Sequence, residues 1–455
     1  MCTPSNQPPS SSRIVYASFD RFPSPKGAAT HIEAFVTALG QRFGGVDLLT
    51  VPSEAAELAG RCSVISQPVS VLRDFGATDE AAKTDWTADG VLHHPILATG
   101  ENLFERVLSF RSLVWNWWQR RFGEKSAVPI VHFRSTFVGY PIARHKERFC
   151  RKLVFEVNGL PSIELKYRYP HVADDPELLR KLYRQEQVCL DAADLVLTVS
   201  QVNAEHLLSR GVSEDRICVI PNGVDLNVFS YRCPASPPQD SGKNELGMRM
   251  LYSGTMSAWQ GVSVAIEALA LFRRDFPATL TLVGPARPRQ RRDLLNRAWE
   301  LGVYDSVRLL EPVSRMELAA LHHEADVIVA PLTRNDRNLV QGCCPLKVLE
   351  AMASGTPLIA SDLPVVRELA TGDLEAILVR PGSAKAIKDG MLQLAEEGLA
   401  RRLSFAARTR IERKFTWARA QNALVAAYEG LIGSSGDFAD SRPNNPPSRS
   451  ASTSP

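Results

Sequence analysis

Short apolar segments alternate with segments of helical character along almost the whole chain, and this alternation constrains the fold more than any other feature. Apolar runs occupy residues 13–19, 128–134, 152–157 and 194–200 in the first half of the chain, and similar runs recur in the second half. Strands separated by helices are typical of βαβ units, in which neighbouring strands are parallel. We therefore predict an α/β protein with parallel sheets.

The alternation is interrupted once, by a segment rich in Pro and Ser near the middle of the chain. A chain of 455 residues also exceeds what one hydrophobic core usually supports. We predict two Rossmann-like domains facing each other across a cleft, over residues 13–228 and 247–412, with a linker at 229–246. A final helix at 413–432 would return to the first domain, and the polar ends, 1–12 and 433–455, are expected to be disordered.

Composition excludes several classes of protein. The net charge of +3 is too small to indicate a nucleic-acid partner. The sequence contains no apolar run near the roughly 18 residues that a membrane-spanning helix needs, and its first residues lack the apolar core of a signal peptide. The eight cysteines show no metal-ligand spacing. We therefore expect a reduced, cytoplasmic protein without a metal.

The segment QGCCPLKVLEAMASGTPLIASDLP, residues 341–364, predicts a loop, a short helix and a buried strand. Pro345 suits the first position of the helix. The N–H groups at a helix start favour a phosphate, and Glu350, one turn further in, could accept hydrogen bonds from ribose hydroxyls. Taken alone, the same pattern also fits an ordinary surface loop and helix.

Six segments resemble the family-four retaining glycosyltransferases of the GT-B fold. They span nearly all of residues 13–432, and their order matters more than any single match. The segments are SPKGAATHIEAF, ADLVLTVSQVNAEHL, IPNGVDLNVF, YSGTMSAWQGVSVAIEAL, EADVIVAPL and PLKVLEAMASGTPLIASDLPVVREL. The resemblance implies that the C-terminal domain holds a nucleotide-diphosphate sugar and that the N-terminal domain holds most of the acceptor. It also implies that the leaving diphosphate is stabilised without a metal or other cofactor.

The chain departs from the family pattern at charged positions. Glu350 matches the second glutamate of the family's Glu-x7-Glu motif, whereas the first falls on Gly342. The Arg and Lys that bind the diphosphate in the family fall on Thr255 and Gln260. Five residues are candidates for the missing positive charge: Lys347, Arg334, Arg337, Arg287 and Arg289.

The resemblance gives a set of candidate site residues. For the donor these are Gly27, Gly254, Thr255, Gln260, Gly261, Gly284, Val313, Cys343, Cys344, Pro345, Leu346, Lys347 and Glu350. On the acceptor side they are His132, Arg134, Glu156, Asn158 and Glu164. We assign catalytic roles to Arg134 and Lys347. Arg134 replaces a histidine of many relatives, and its permanent charge leads us to expect an anionic acceptor.

The resulting hypothesis is a retaining glycosyltransferase that moves a sugar from a nucleotide-diphosphate sugar to a hydroxyl of a polysaccharide or glycolipid precursor. The aromatic and basic segment 103–122 could contact a membrane that carries a lipid-linked acceptor, although packing against the N-terminal sheet is the more common role for such a helix. Two alternatives remain open. One is a non-hydrolysing sugar-nucleotide epimerase, and the other is a catalytically silent subunit that binds a sugar nucleotide.

Overall fold

The computed structural model describes residues 14–53, 86–123, 127–234 and 247–433. The predicted tail 1–12, all but Gly433 of the predicted tail 433–455, and most of the predicted linker lie outside these residues. The described strands form two sheets in which all strand pairs are parallel. This confirms the predicted α/β fold with parallel sheets.

The N-terminal domain has a seven-stranded sheet among the described residues, with helices between the strands. Its strands are β1 (Ile14–Arg21), β2 (Val46–Val51), β3 (Val91–Pro95), β4 (Val128–Phe133), β5 (Cys150–Val157), β6 (Leu195–Thr198) and β7 (Ile217–Val219). Its helices are α1 (Gly27–Phe43), α2 (Leu103–Phe122), α3 (Thr136–Arg144), α4 (Lys146–Phe149), α5 (Pro161–Arg168), α6 (Pro176–Ala192) and α7 (Gln201–Ser209).

The C-terminal domain has a six-stranded sheet among the described residues. Its strands are β8 (Met248–Ser253), β9 (Ala278–Val283), β10 (Val307–Leu310), β11 (Val327–Ala330), β12 (Leu358–Ser361) and β13 (Ile377–Val379). The helices that follow the linker are α8 (Val262–Phe272), α9 (Pro288–Glu300), α10 (Arg315–Glu324), α11 (Leu346–Ser354), α12 (Pro364–Arg367), α13 (Ala384–Gln393), α14 (Leu399–Lys414) and α15 (Trp417–Gly433).

The two sheets share one topology, and this topology locates the site. The strand orders are β3-β2-β1-β4-β5-β6-β7 and β10-β9-β8-β11-β12-β13. In each sheet the direction of strand addition reverses once, between β1 and β4 or between β8 and β11. Ligands of such sheets bind in the crevice beyond the carboxyl ends of the strands at that reversal.

The chain passes between the domains twice. After the N-terminal domain, Phe229 is fully buried in the core around α11, and Arg232 N donates to Ser354 O, so the predicted linker begins as a packed part of the C-terminal domain. At the end of the chain, α15 packs against α1, and Gln421 Nε2 donates to Ala34 O at 2.9 Å. The apolar face of α15 completes the core of the N-terminal domain.

One local detail differs from the sequence expectation. Pro345 is the residue that precedes α11, with extended backbone, and is not its first helical residue. Its carbonyl accepts from Val348 N at 3.0 Å, which is the role of a cap residue. In the described parts of the chain, none of the helices combines the length and apolar character needed to cross a bilayer.

Candidate active site

Two glycines end adjacent strands of the C-terminal sheet and bring their backbones close together. Gly254 follows β8 and Gly284 follows β9, with φ values of +136° and +139°. A Cβ on Gly284 would lie 2.1 Å from Gly254 O. Only glycine tolerates both the conformation and this approach. The predicted donor loop therefore presents bare backbone at the carboxyl edge of the sheet.

Two contacts fix the loop that follows β8. Tyr252, fully buried, donates its hydroxyl to Thr255 O at 2.6 Å. Gly261, immediately before α8, has φ +72°, and a Cβ there would lie 1.8 Å from Pro331 O beyond β11. The two strands at the topological reversal are thus held together at their carboxyl ends.

Lys347 reaches from α11 into this loop. Its Nζ donates to Gln260 Oε1 at 2.6 Å and lies 4.0 Å from the centroid of the Tyr252 ring. A Cβ on Gly254 would lie 2.7 Å from the same Nζ. Burial lowers the pKa of Lys347 to about 7, although Glu350 acts to raise it. Because Gln260 accepts from Lys347 through its oxygen, its amide N–H groups remain available as donors.

Glu350 lies one turn further along α11 and is partly exposed. Its carboxylate makes no hydrogen bond to any residue that the structure describes. Burial raises the pKa of Glu350 to about 7, while Arg315 and Lys347 act to lower it. A carboxylate of this kind is available to accept hydrogen bonds from a ligand, as the sequence predicted for a ribose.

The loop that leads into α11 explains the missing first glutamate. Gly342 has φ +77°, and a Cβ there would lie 2.5 Å from Ser200 Oγ and 2.7 Å from Asn203 N at the start of α7. A glutamate at this position would therefore clash with the N-terminal domain. Cys343 and Cys344, which follow, are buried, and burial raises the pKa of both thiols. They line the loop as neutral side chains.

The starts of two helices meet across the cleft. Gly27 is the first residue of α1, and Leu346 is the first residue of α11. A Cβ on Gly27 would lie 2.6 Å from Leu346 Cδ1. The N-terminal ends of the two helices are therefore adjacent, and such ends carry free N–H groups and a partial positive charge. This arrangement suits an anion bound between the domains.

The structure separates the five candidates for the missing charge. Lys347 lies beside Gly254 and Gln260. Arg337 lies at the same loop, 3.8 Å from the centroid of the Trp259 ring, whereas the other three arginines lie elsewhere. Arg337 pairs with Glu164 at 2.8 Å, Arg287 donates to Arg168 O at 3.0 Å, Arg289 is exposed near Asp293, and Arg334 is exposed. Val313, after β10, is partly buried against the core that surrounds α11.

Arg134 does not present a free charge to an acceptor, which corrects the sequence expectation. Its Nε donates to Glu156 Oε1 at 2.7 Å, and its Nη1 donates to Ala28 O at 3.1 Å and to Asp20 Oδ2 at 3.3 Å. Burial acts to lower the pKa of Arg134, but the Glu156 and Asp20 carboxylates outweigh it and raise the pKa above its usual value. The guanidinium therefore stays charged, and carboxylates of its own domain already balance that charge.

His132 and Glu156 were expected to line the acceptor side, but both are buried below it. His132 is fully buried, with Nδ1 2.7 Å from the Tyr428 hydroxyl and Nε2 3.1 Å from Glu156 Oε2. Glu156 also accepts from the Tyr16 hydroxyl at 2.7 Å. Burial acts to raise the pKa of Glu156, but His31 and Arg134 lower it well below its usual value. These residues form a buried ionic core in the N-terminal domain.

Asn158 and Glu164 are partly exposed, and both bond to neighbouring side chains. Asn158 Nδ2 donates to Glu156 Oε1, and the Glu164 carboxylate accepts from Arg337 Nε and Gln341 Nε2, both at 2.8 Å. Glu164 thus joins the two domains. Because sequence alone does not show which residues meet across a domain interface, this contact was not predicted.

Sequence reasoning missed several residues that contact the predicted site residues. His31 on α1 lies 2.7 Å from Asn222 Oδ1 and 3.0 Å from Glu156 Oε1, and Asn222 Nδ2 donates to Cys344 O at 2.8 Å. Both residues lie within segments that carried the family resemblance, SPKGAATHIEAF and IPNGVDLNVF. Their position in those motifs was the available signal. A polar residue in a helix, however, gives no sign of its partner.

Helix α2 has the expected packing face together with an exposed one. Trp117 and Trp118 are buried against the N-terminal sheet. Phe104, Leu108 and Trp115 remain exposed, with 39%, 59% and 40% of their surface accessible.

Family models match both domains. Residues 25–228 match the model described as Glycosyltransferase Family 4, and residues 247–397 match Glycosyl transferases group 1. The D-inositol 3-phosphate glycosyltransferase of Xylanimonas cellulosilytica is 30% identical over 308 residues, which cover 66% of this chain and 71% of that protein. A glycogen synthase of Mycobacterium tuberculosis is 30% identical over 261 residues, covering 55% of this chain and 58% of that protein.

Solved structures share the fold over nearly the whole chain. Sucrose-phosphate synthase from Thermosynechococcus elongatus has a TM-score of 0.68 at 21% identity, covering 93% of this chain and 100% of that one. HepE from Anabaena, in complex with UDP and glucose, has a TM-score of 0.64 at 16% identity, covering 92% and 100%. With both family models matched and the two parallel sheets in place, the chain belongs to the family-four glycosyltransferases of the GT-B fold.

Proposed function

We propose that this glycosyltransferase takes a sugar from a nucleotide-diphosphate sugar and transfers it, with retention of anomeric configuration, to a hydroxyl of a carbohydrate or lipid-linked acceptor. The meeting of the α1 and α11 helix starts, at Gly27 and Leu346, carries the proposal. Two helix N-termini facing one space favour a bound diphosphate. The reaction leaves negative charge on that diphosphate, so the same groups stabilise the leaving group.

Lys347 supplies the cationic charge that Thr255 and Gln260 lack. Burial holds its pKa near 7, so the bare site does not carry a full positive charge at neutral pH. A bound diphosphate raises that pKa by attraction and draws a proton onto Nζ. Gln260 orients Lys347 through its oxygen and turns its N–H groups toward the ligand. Charge neutralisation of this kind needs no metal cofactor.

Glu350 holds the nucleotide end of the donor. A carboxylate without a donor in the described structure, one turn from the phosphate site, matches the distance between a ribose and its diphosphate. The similar Anabaena protein HepE has been solved with UDP and with UDP-glucose. We extend that ligand class, a nucleotide and its sugar, to this chain.

The acceptor belongs at the opening between the domains, on the N-terminal side. Lys26 is exposed beside Gly27 and precedes α1, whereas Arg134 is engaged by Glu156 and Asp20. An anionic acceptor would therefore meet Lys26 and the α1 start before it met Arg134. The curated relatives named D-inositol 3-phosphate glycosyltransferase favour a phosphorylated polyol as the first acceptor to test.

A transfer screen tests the proposal. The purified chain is incubated with UDP-, GDP- and ADP-sugars and with inositol phosphate, oligosaccharide and lipid-linked acceptors, with and without a chelator. NMR of the product gives its anomeric configuration. We expect transfer with retention that survives chelation, and loss of transfer in Lys347→Met.

Other results would contradict one part each. Turnover abolished by the chelator in a folded sample would contradict metal independence. Nucleotide binding without transfer to any acceptor would favour the catalytically silent subunit. The structural argument for that alternative is that position 342 has no room for the family's first glutamate. Interconversion of the free sugar nucleotides would favour the epimerase.

A further inference from the structure

Gln341, the residue before the donor loop, forms hydrogen bonds to the N-terminal domain through both polar atoms of its side-chain amide. Gln341 is fully buried, its Oε1 accepts from Leu160 N at 2.9 Å, and its Nε2 donates to Glu164 Oε1 at 2.8 Å. Its backbone carbonyl accepts from Asn203 Nδ2 on α7. Three hydrogen bonds thus join one residue of the C-terminal domain to three residues of the N-terminal domain.

The far end of the same loop is held in the same way. Cys344 O accepts from Asn222 Nδ2 at 2.8 Å. Asn222 is oriented from the interior, because its Oδ1 lies 2.7 Å from His31 Nδ1, and His31 Nε2 lies 3.0 Å from the buried Glu156. The orientation of this amide is therefore fixed by the ionic core of the N-terminal domain.

Between these two ends, the loop has no freedom to move toward the N-terminal domain. Gly342 packs against Ser200 and Asn203 so closely that a Cβ would overlap them. Each buried hydrogen bond that opens leaves polar groups unpaired, which costs free energy. Contact between the domains therefore stabilises the loop geometry seen here.

We propose that Gln341, Asn203 and Asn222 are positioning residues that couple domain closure to the shape of the donor loop, residues 342–345. They do not touch the donor themselves. When the domains separate, Gln341 and Cys344 lose their hydrogen bonds to the N-terminal domain, and the loop loses its diphosphate-binding geometry. The proposal rests on the proposed function, because it assigns these residues to the donor site named there.

The pairing of Gln341 with Glu164 allows a sharp test by exchange. Gln341→Glu places two carboxylates face to face. Glu164→Gln replaces the carboxylate that accepts from Gln341 and Arg337 with a neutral amide. The double variant, Gln341→Glu with Glu164→Gln, restores one amide and one carboxylate with the net charge unchanged. Glu368→Gln is the matched control, because Glu368 joins the same domains by accepting from Gln201 N and Val202 N without contacting the loop.

Two measurements are made on each variant: the Kd for UDP by calorimetry, and hydrogen exchange at residues 341–345, alongside thermal unfolding. We expect Gln341→Glu to weaken UDP binding by about tenfold or more and to speed exchange in the loop. The double variant should recover most of both, and Glu368→Gln should leave both near the wild-type values.

The proposal is overturned if the double variant fails to recover, or if Glu368→Gln has the same effect as Gln341→Glu, since the interface would then act as a whole. Unchanged binding and exchange in Gln341→Glu would overturn it as well. If the wild type binds UDP, GDP and ADP not at all, the proposed function fails. In that case loop exchange alone still decides whether these amides position the loop.

Discussion

At the scale of single residues, the candidate site contains two titratable groups, Lys347 and Glu350, whose pKa values are shifted toward each other. Burial lowers the pKa of Lys347 and raises that of Glu350, each to about 7, because neither group is fully solvated. A donor that needs Lys347 charged and Glu350 ionised binds best between the two titrations. Its affinity should therefore pass through a maximum near neutral pH.

The first prediction concerns Lys347 and the alkaline side of that maximum. A bound diphosphate favours protonated Lys347, so the pKa of Lys347 in the complex is higher than about 7 and the protein takes up a proton on binding the donor. Above pH 7 the affinity of wild type for the best donor in the screen should fall, by up to about tenfold per pH unit. Calorimetry in buffers of different ionisation enthalpy measures the proton uptake.

Lys347→Met, which keeps the length of the side chain, should abolish both the proton uptake and the alkaline fall. It should also weaken the nucleoside diphosphate far more than the unphosphorylated nucleoside. Lys385→Met, at an exposed position of α13, is the control. Equal losses for nucleotide and nucleoside would place Lys347 away from the diphosphate.

The second prediction concerns Glu350 and the acid side. As pH falls through about 7, Glu350 is protonated and loses its charge-assisted hydrogen bonds. Glu350→Gln should weaken donor binding at pH 8 by about 2 kcal/mol and flatten the acid limb of the profile. Glu396→Gln, exposed on the same domain, serves as the control. A variant with unchanged affinity and an intact fold would show that Glu350 does not bind the ribose.

Arg134 shows where residue-level reasoning from sequence failed. Its position at a strand end was predicted correctly, since it directly follows β4. The sequence did not predict that its charge is paired, because the partners Glu156 and Asp20 come from other segments of the chain. The charge of a side chain can be read from sequence, but whether that charge is available depends on partners brought together by folding.

At the scale of elements, the donor loops follow from strand topology. Loops after parallel strands lie at one edge of a sheet, so Gly254, Gly284 and Lys347 could be grouped from sequence before their contacts were known. Gly261 links two of these elements, since its backbone touches Pro331 beyond β11. The loops are therefore parts of the packing as well as of the site.

The third prediction tests this element contact. Gly261→Ala forces a methyl group to within 1.8 Å of Pro331 O at a φ of +72°, so either the loop or β11 must shift. We expect the free energy of unfolding to fall by about 3 kcal/mol or more, measured by denaturant unfolding. Gly302→Ala is the matched control, because Gly302 has φ +68° and nothing within 4 Å of its Cβ position.

The control should cost about 1 kcal/mol, the strain of the left-handed conformation alone. The difference between the two variants then measures the overlap with Pro331. Equal losses would mean that the loop moves aside freely, and the contact would not fix the donor site.

At the scale of the whole molecule, α2 gives the N-terminal domain a surface that is both apolar and basic. Leu108 and Trp115 are exposed on α2, and Arg144 and Arg148 are exposed on neighbouring segments. Apolar side chains flanked by arginines suit the headgroup region of an anionic bilayer. A lipid-linked acceptor would bring the protein to such a membrane surface.

The fourth prediction concerns this surface. Wild type should co-sediment with vesicles containing anionic lipid and much less with neutral vesicles, because the arginines contribute electrostatic attraction. The double change Leu108→Asp with Trp115→Asp should abolish binding while the protein stays folded. Phe405→Asp, at a residue 68% exposed on α14, should leave it intact. Binding that is lost equally in the control, or absent in wild type, would contradict a membrane contact through α2.

The sequence by itself determined the parallel α/β fold, the family, and the grouping of Gly254, Gly284 and Lys347 at one edge of the C-terminal sheet. Each of these follows from local patterns, because apolar periodicity and glycines at strand ends act within a few residues. Only the tertiary structure decided that the charge of Arg134 is paired with carboxylates, that His132 and Glu156 are buried, and that Gly342 has no room for a side chain. These facts depend on contacts between residues far apart in the chain, such as Gly342 with Ser200 and His132 with Tyr428. No local pattern carries such contacts, since they arise only when the two domains and α15 pack together.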